Sequence, residues 1–308
     1  MLHDENRQLK GGRESRQEFP AGQKAACGES YPNSRVRFCT DFKRNHAHLR
    51  TFFERELCRL PDTQAVAKLY DRRGAEAKEA NKLLAAIPDS EFDLLAPHLE
   101  RVELRLKDVF QEPGQSITHL HFPRHGVISA VKEFLDGDII EVATIGNEGV
   151  AGNSVVLDVH VCGNRVLVQV PGEALRIQTS ALLSVLDRCP RLRRILLRYS
   201  QALFHQVAQT AACNRAHTVD ERCARWLLMT HDRVLGNTFL LTQEFLAQML
   251  GVHRPTVSLA ARMLQKAGII TYVRGQVTIL DRKALEDASC ECYQLIISQY
   301  EIALGTKS

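Results

Sequence analysis

Three groups of residues in this chain have side chains and spacings suited to chemistry. His119-x-His121, with His125 close behind, places two imidazoles on one face of a strand, where they can chelate a metal. Cys290-x-Cys292 could bind a metal or act as a redox pair; with no matching second pair in the sequence, it is read as packed free thiols. No metal site and no cofactor are assigned. The third group is Arg254, Thr256, Ser258 and Arg262, donors and short hydroxyls at helical spacing, with Arg274 twelve residues beyond Arg262. Such side chains suit base edges and phosphates; a bidentate arginine on guanine is the commonest specific contact.

The third group needs a framework that presents it outward. Residues 242–270 read TQEFLAQMLGVHRPTVSLAARMLQKAGII. Two helices crossing at a tight turn need a small residue at the crossing, which Ala247 supplies. The turn needs a residue tolerant of positive φ, and Gly251 follows four positions later. Val257 is the apolar anchor of the second helix, which is expected to start at Arg254-Pro255 with proline in its first turn. Tyr272 to Ile279 reads as a hairpin turning at Arg274-Gly275, a wing beside the second helix. Thr218 and Glu221 form a capping box that opens a preceding helix.

Upstream the texture differs. Residues 1–80 are rich in Arg, Glu, Gln and Asn and are expected to form a poorly ordered extension, with a helix from about Asp62 to Ala86. Short apolar runs then recur from Val102 to Ile177, broken by Pro113-Gly114, Pro123, Asp136-Gly137-Asp138, Gly163-Asn164 and Pro171-Gly172. Many short strands at this spacing predict a sandwich or barrel. After Cys189-Pro190 the period switches: Leu192, Leu196, Tyr199, Leu203 and Val207 make the seam of a long helix, expected to pair with its own copy.

The charge divides in the same way. Residues 86–189 hold 8 Lys/Arg against 15 Asp/Glu, whereas residues 190–285 hold 14 against 5. One half repels polyanions and the other attracts them. The first 30 residues contain no apolar run, which predicts no secretory leader. No segment approaches the roughly 18 consecutive apolar residues of a membrane span. Nine scattered cysteines in a long chain predict reduced thiols and a cytoplasmic location.

With these residues in hand, the chain resembles the CRP/FNR family of bacterial transcription regulators over about residues 82–300. The strongest carrier is the segment ending in Arg254-Pro255-Thr256-Val257-Ser258. The resemblance implies an α+β chain: a β-roll sensor (a jelly-roll-like double-stranded β-helix) at 81–189, a dimerisation helix at 190–213, a winged helix-turn-helix at 214–285 and a C-terminal tail at 286–308. It further implies a homodimer on double-stranded DNA, with RNA polymerase as a candidate partner and an unknown small-molecule effector. The effector pocket would fall at Gly146, Gly152, Asn153 and Arg165. The chain departs from cyclic-AMP-responsive members there: Asn153 stands where a ribose-binding Glu is expected, and Val166-Leu167 follow Arg165. Cyclic AMP is therefore not the expected effector. Closely spaced N-terminal cysteines hold an iron–sulfur cluster in oxygen-sensing members; Cys27, Cys39 and Cys58 are too far apart for that pattern.

Two other function classes remain open at this level. A cupin-like metal-binding β-barrel enzyme would use His119, His121 and a later histidine such as His160, but Arg124 or His125 occupies the expected carboxylate position. An effector-binding interaction module without DNA binding would leave Arg254, Thr256, Ser258, Arg262 and the wing unexplained.

Overall fold

The structure is a computed structural model and describes residues 78–306 apart from residue 136. Most of the extension expected at 1–80, with Cys27, Cys39 and Cys58, and most of the helix expected from Asp62 fall outside the described residues.

Asn81 ties the helical lead-in to the β-region. Its side chain caps α1 (Lys82–Ala85) by accepting from the Leu83 and Leu84 amides. Its Nδ2 donates to the carbonyls of Pro123 at 2.8 Å and Gly149 at 3.0 Å. A fully buried amide is thereby satisfied at both ends. After α2 (Asp89–Leu95), five strands follow: β1 (Glu100–Leu104), β2 (Val109–Gln111), β3 (His119–Glu133), β4 (Ile139–Ile145) and β5 (Arg165–Gln178). All pairings are antiparallel, in the order β1-β5-β3-β4 with β2 also on β5.

Two expected breaks do not end strands. Pro123 lies inside β3 and Pro171-Gly172 inside β5, so four expected strands are two long ones. The reason is a bend in place of a stop. Register shifts accumulate between Pro123 and Ile128, where bulges absorb the proline. At the bend Gly126 (φ +92°) faces Gly172, and a Cβ on Gly172 would lie 2.2 Å from the His125 carbonyl oxygen. Only glycine lets the two backbones approach so closely.

Beyond α3 (Thr179–Leu186), α4 (Pro190–Ala216) runs for 27 residues. Proline sits in its first turn, and the Glu91 carboxylate of α2 accepts from the Arg191 and Leu192 amides at 3.0 and 2.8 Å. An anion at this end satisfies free donors and complements the helix dipole. The seam expected to face a second copy is corrected here. Leu192, Leu196 and Tyr199 are fully buried within their own chain. The β-roll and the C-terminal helix cover that face, as shown by Gln206, which donates to the Thr144 carbonyl at 3.2 Å and accepts from Tyr300 Oη at 2.7 Å. The apolar residues left outward are Leu197 and Phe204, seven positions apart and 41% and 66% exposed.

The rest is α5 (Val219–His231), β6 (Thr238–Leu240), α6 (Gln243–Leu250), α7 (Arg254–Lys266), β7 (Ile270–Val273), β8 (Gln276–Ile279), α8 (Arg282–Asp287) and α9 (Cys292–Leu304). The expected capping box of α5 forms, with Thr218 and Glu221 bonding reciprocally. Strands β6, β8 and β7 make a small antiparallel sheet; β6 carries too short a pattern to read from sequence. The segment expected as a tail after 285 instead contains a 13-residue helix, α9, which lies along α4 and buries Tyr293, Ile296, Tyr300 and Ala303.

One apolar core runs from the β-roll into the helices beyond it. A buried ion pair crosses the same boundary: Arg233, after α5, bonds Glu148 of the β-roll through Nε and Nη2, at 2.8 Å for the shortest contact.

Candidate nucleic-acid interface

The framework forms around the residues expected for it. Thr242 caps α6 by accepting from the Phe245 amide at 3.1 Å. Gly251 ends α6 in the left-handed region (φ +61°, ψ +43°), and the Val252 amide returns to the Ala247 carbonyl. That reversal aims α7 away from α6. Ala247 and Val257 are buried where the two helices meet, with Leu246, Ala260 and Leu264. The α6 C-terminus also receives Arg222 Nη2 on the Leu250 carbonyl.

The outward side of α7 carries Arg254, Thr256 and Arg262, all exposed. Arg254 is 64% exposed, and its nearest carboxylate, Glu244, is 3.9 Å away. Such a distant, open partner holds the guanidinium weakly and leaves it available. Arg262 Nε donates to the Ser258 carbonyl at 3.1 Å, which lays that side chain back along its own helix. Ser258 is half-buried, and its hydroxyl bonds Gln243 Oε1 at 2.6 Å. This geometry makes Ser258 a brace between α7 and α6. His253, not singled out by sequence, supplies the extended residue before α7, and Pro255 sits in its first turn.

The wing turns where expected. Arg274 (φ +51°) and Gly275 (φ +77°) both take positive φ, the signature of the two-residue hairpin turn that matches strand twist. Tyr272 Oη donates to the Leu241 carbonyl at 2.8 Å and pins the wing to the chain just beyond β6. Arg254 and Arg274 then line one surface depression of about 360 Å³ with Thr242, Gln243, Tyr272 and Gly275. Two guanidinium groups, a helix N-terminus and an exposed threonine around one concavity gather donors of the kind that can bond phosphate oxygens or base edges.

Residues 221–288 match the family model of the Crp-like helix-turn-helix domain. That segment is a Crp-like helix-turn-helix domain, the part of the chain built to bind DNA. The fold of the chain agrees with three solved structures. FixK2 from Bradyrhizobium japonicum superposes with a TM-score of 0.54 at 16% identity, covering 62% of this chain and 98% of that one. A CRP/FNR-family regulator from Eubacterium rectale gives 0.53 at 17%, covering 68% and 98%. CLP, a c-di-GMP-responsive global regulator from Xanthomonas campestris, gives 0.51 at 16%, covering 62% and 99%. No curated protein matches in sequence.

The residues expected at an effector pocket each have their own partners. Asn153 Nδ2 donates to Ser200 Oγ of α4 at 2.9 Å. Arg165 pairs with Glu133 at 3.0 Å and Glu112 at 3.3 Å. Gly146 lies under the buried Arg233 side chain, where a Cβ would come within 2.2 Å of Arg233 Cδ, and Gly152 packs beside Gln111 and Ile117. A cavity of about 610 Å³ is lined by Lys82, Glu148, Arg233, Arg282, Tyr293 and Tyr300 among others.

The rings of His119 and His121 stand 6.5 Å apart and tilted to one another. His121 is buried and stacks on Phe110 with ring centroids 4.1 Å apart. Burial, then the neighbouring Arg176, pushes its pKa down to about 3. Among the described residues, the group of three or more potential ligands that comes together is a different one: Cys213, His217, Cys290 and Cys292.

Proposed function

We propose that the protein is a homodimeric, sequence-specific regulator in the cytoplasm that reads duplex DNA with α7 and grips the flanking backbone with its wing. The observation that carries this is the shared depression of Arg254 and Arg274, which puts recognition helix and wing on one surface. Arg254 and Thr256, at the start of α7, are the base-reading candidates; Arg262 and Arg274 contact phosphates, and Ser258 holds the helix in place through Gln243. Ala247, Gly251 and Val257 form the framework that fixes their angle.

The parts divide as an extension at 1–80, a sensor roll at 81–189, a dimer helix beginning at Pro190, the winged domain to 285 and the helix that follows. Dimerisation uses the outward stripe of α4 that contains Leu197 and Phe204. RNA polymerase is a candidate partner once the dimer is on DNA. The effector is not cyclic AMP: Asn153 and Arg165, where ribose and phosphate recognition would fall, are engaged by Ser200, Glu112 and Glu133. Calorimetry is expected to show cyclic-AMP binding weaker than about 10 μM, roughly 7 kcal/mol.

The test of the whole reading is selection of bound sequences from a random duplex pool, followed by salt titration. A recovered palindromic motif with steep salt dependence supports it; binding that is absent or indifferent to sequence overturns it.

A further inference from the structure

Three of the chain's cysteines gather in a cluster of their own, apart from the main apolar core. Cys213, Cys290 and Cys292 are almost fully buried and form their own packed group. Cys213 lies in the last turn of α4, and His217 caps that helix four residues on. Cys290 and Cys292 enter from the other side, at the start of α9. The missing second pair of the Cys290-x-Cys292 motif is therefore a cysteine and a histidine from the helix end, brought in across more than seventy residues of sequence.

Two of the distances match the edges of a tetrahedral site, and the group as a whole is compact enough to close on one ion. Cys213 Sγ and Cys290 Sγ are 3.6 Å apart, and Cys292 Sγ is 3.5 Å from His217 Nδ1. All four ligand atoms lie within 4.8 Å of one another. A tetrahedral zinc with Zn–S near 2.3 Å and Zn–N near 2.0–2.1 Å has edges of about 3.8 Å between sulfurs and about 3.5 Å between sulfur and nitrogen. An iron–sulfur cluster needs its cysteines spread around several irons, wider than this group.

The surroundings fit as well. His217 points Nδ1 inward, while Nε2 lies 3.2 Å from Glu291 Oε2, the carboxylate that orients a metal-bound imidazole. Gln209 Nε2 donates to Cys292 Sγ at 3.1 Å. Arg222 and Arg225 of α5 are buried; Arg222 bonds the Leu250 carbonyl and Arg225 bonds Met229 Sδ, neither of them a carboxylate. Both lie close enough to the cluster to interact through charge, Arg225 with Cys213 and Arg222 with Cys213 and Cys290. Three thiolates on a divalent ion carry one net negative charge, which gives these two arginines a counter-charge.

We propose that Cys213, His217, Cys290 and Cys292 bind one zinc ion, which clamps α9 to the joint between α4 and α5. Thr218, the next residue after His217, caps α5, so the ion sits where the long helix hands over to the DNA-binding domain. The binding free energy of such a site is folding free energy for the elements it joins.

The experiment uses the full chain, purified under reducing conditions without chelator, with metal measured by mass spectrometry of the element. About one zinc per chain is expected. Replacing the metal with cobalt should give the intense visible bands of a tetrahedral thiolate-bound ion. Cys290→Ser with Cys292→Ser should abolish both signals, whereas Cys162→Ser, a buried cysteine in the β-roll, should keep them. If the double variant fails to fold, the cobalt spectrum of the parent chain decides. Reduced parent protein that holds less than about a tenth of an ion per chain and gives no cobalt spectrum overturns the proposal. So does a Cys213–Cys290 disulfide in the protein as purified.

Discussion

Trp226 donates its indole N–H to Glu141 Oε1 at 3.0 Å, and this bond joins the helix that opens the winged domain to β4 of the β-roll. Glu141 is buried and also accepts from Ser129 Oγ at 2.7 Å. Burial pushes its carboxyl up to about 7, against the two hydrogen bonds and the more distant Arg225 and Arg233. A carboxyl raised in the folded state prefers its proton there. Its contribution to stability is thus complete below the ordinary carboxylate range and declines as pH rises towards 7. Trp226 is the sole tryptophan, so its fluorescence should report the joint, with a midpoint near pH 7. Glu141→Gln should remove that transition and flatten the fall in stability; an unchanged titration in the variant would refute the assignment.

Leu197 and Phe204 separate dimerisation from folding. Changing both to Glu should leave the fold and melting temperature nearly intact and give monomers by light scattering, because both side chains are exposed within one chain. Leu196→Glu should instead collapse stability, since it buries a charge where a fully buried leucine packs. Dimers that persist in the double variant would place the interface elsewhere.

Arg254 and Arg262 should divide their work. Arg254→Ala is expected to cost about 1–3 kcal/mol and to relax the selected motif at one position. Arg262→Ala should leave the motif unchanged and lower the salt slope by about one unit. The lie of Arg262 along its own helix, bonded to the Ser258 carbonyl, keeps it away from the start of α7. If Arg254→Ala recovers the parental motif with uniformly lower affinity, Arg254 grips phosphate and Thr256 reads.

The Arg233–Glu148 pair should behave as a buried ion pair. Burial alone would raise the Glu148 carboxyl; the charge and hydrogen bonds of Arg233 outweigh it and hold it below its ordinary value. Arg233→Met strands that carboxylate and should cost about 3–5 kcal/mol, whereas Arg233→Met with Glu148→Leu should recover most of the loss. Chemical denaturation of the three proteins measures this, and equal losses in the single and double variants would deny the coupling.

Much of the DNA-binding part was legible because its determinants are local. A small residue at 247, a glycine at 251, a valine at 257 and a proline at 255 each impose a conformation on their own few residues, and Arg274-Gly275 does the same for the wing. The α5 capping box and the start of α4 at Pro190 are equally local. Apolar period alone could not say which partner hides a seam. Leu192, Leu196 and Tyr199 have the spacing of a coiled coil, yet it is α9 and the β-roll that cover them, because a helix whose Tyr300 meets Gln206 of α4 from 94 residues further along the chain is invisible to periodicity; only packing assigns the face, and it leaves Leu197 and Phe204 outward. Pro123 and Pro171-Gly172 look like strand ends until Gly126 and Gly172 are seen to meet across the sheet and turn a stop into a bend. Cys213 and His217 read as the end of a helix and Cys290-x-Cys292 as an unmatched pair. Only the return of α9 along α4 brings the four together, since ligand geometry depends on distance in space and not on spacing in sequence.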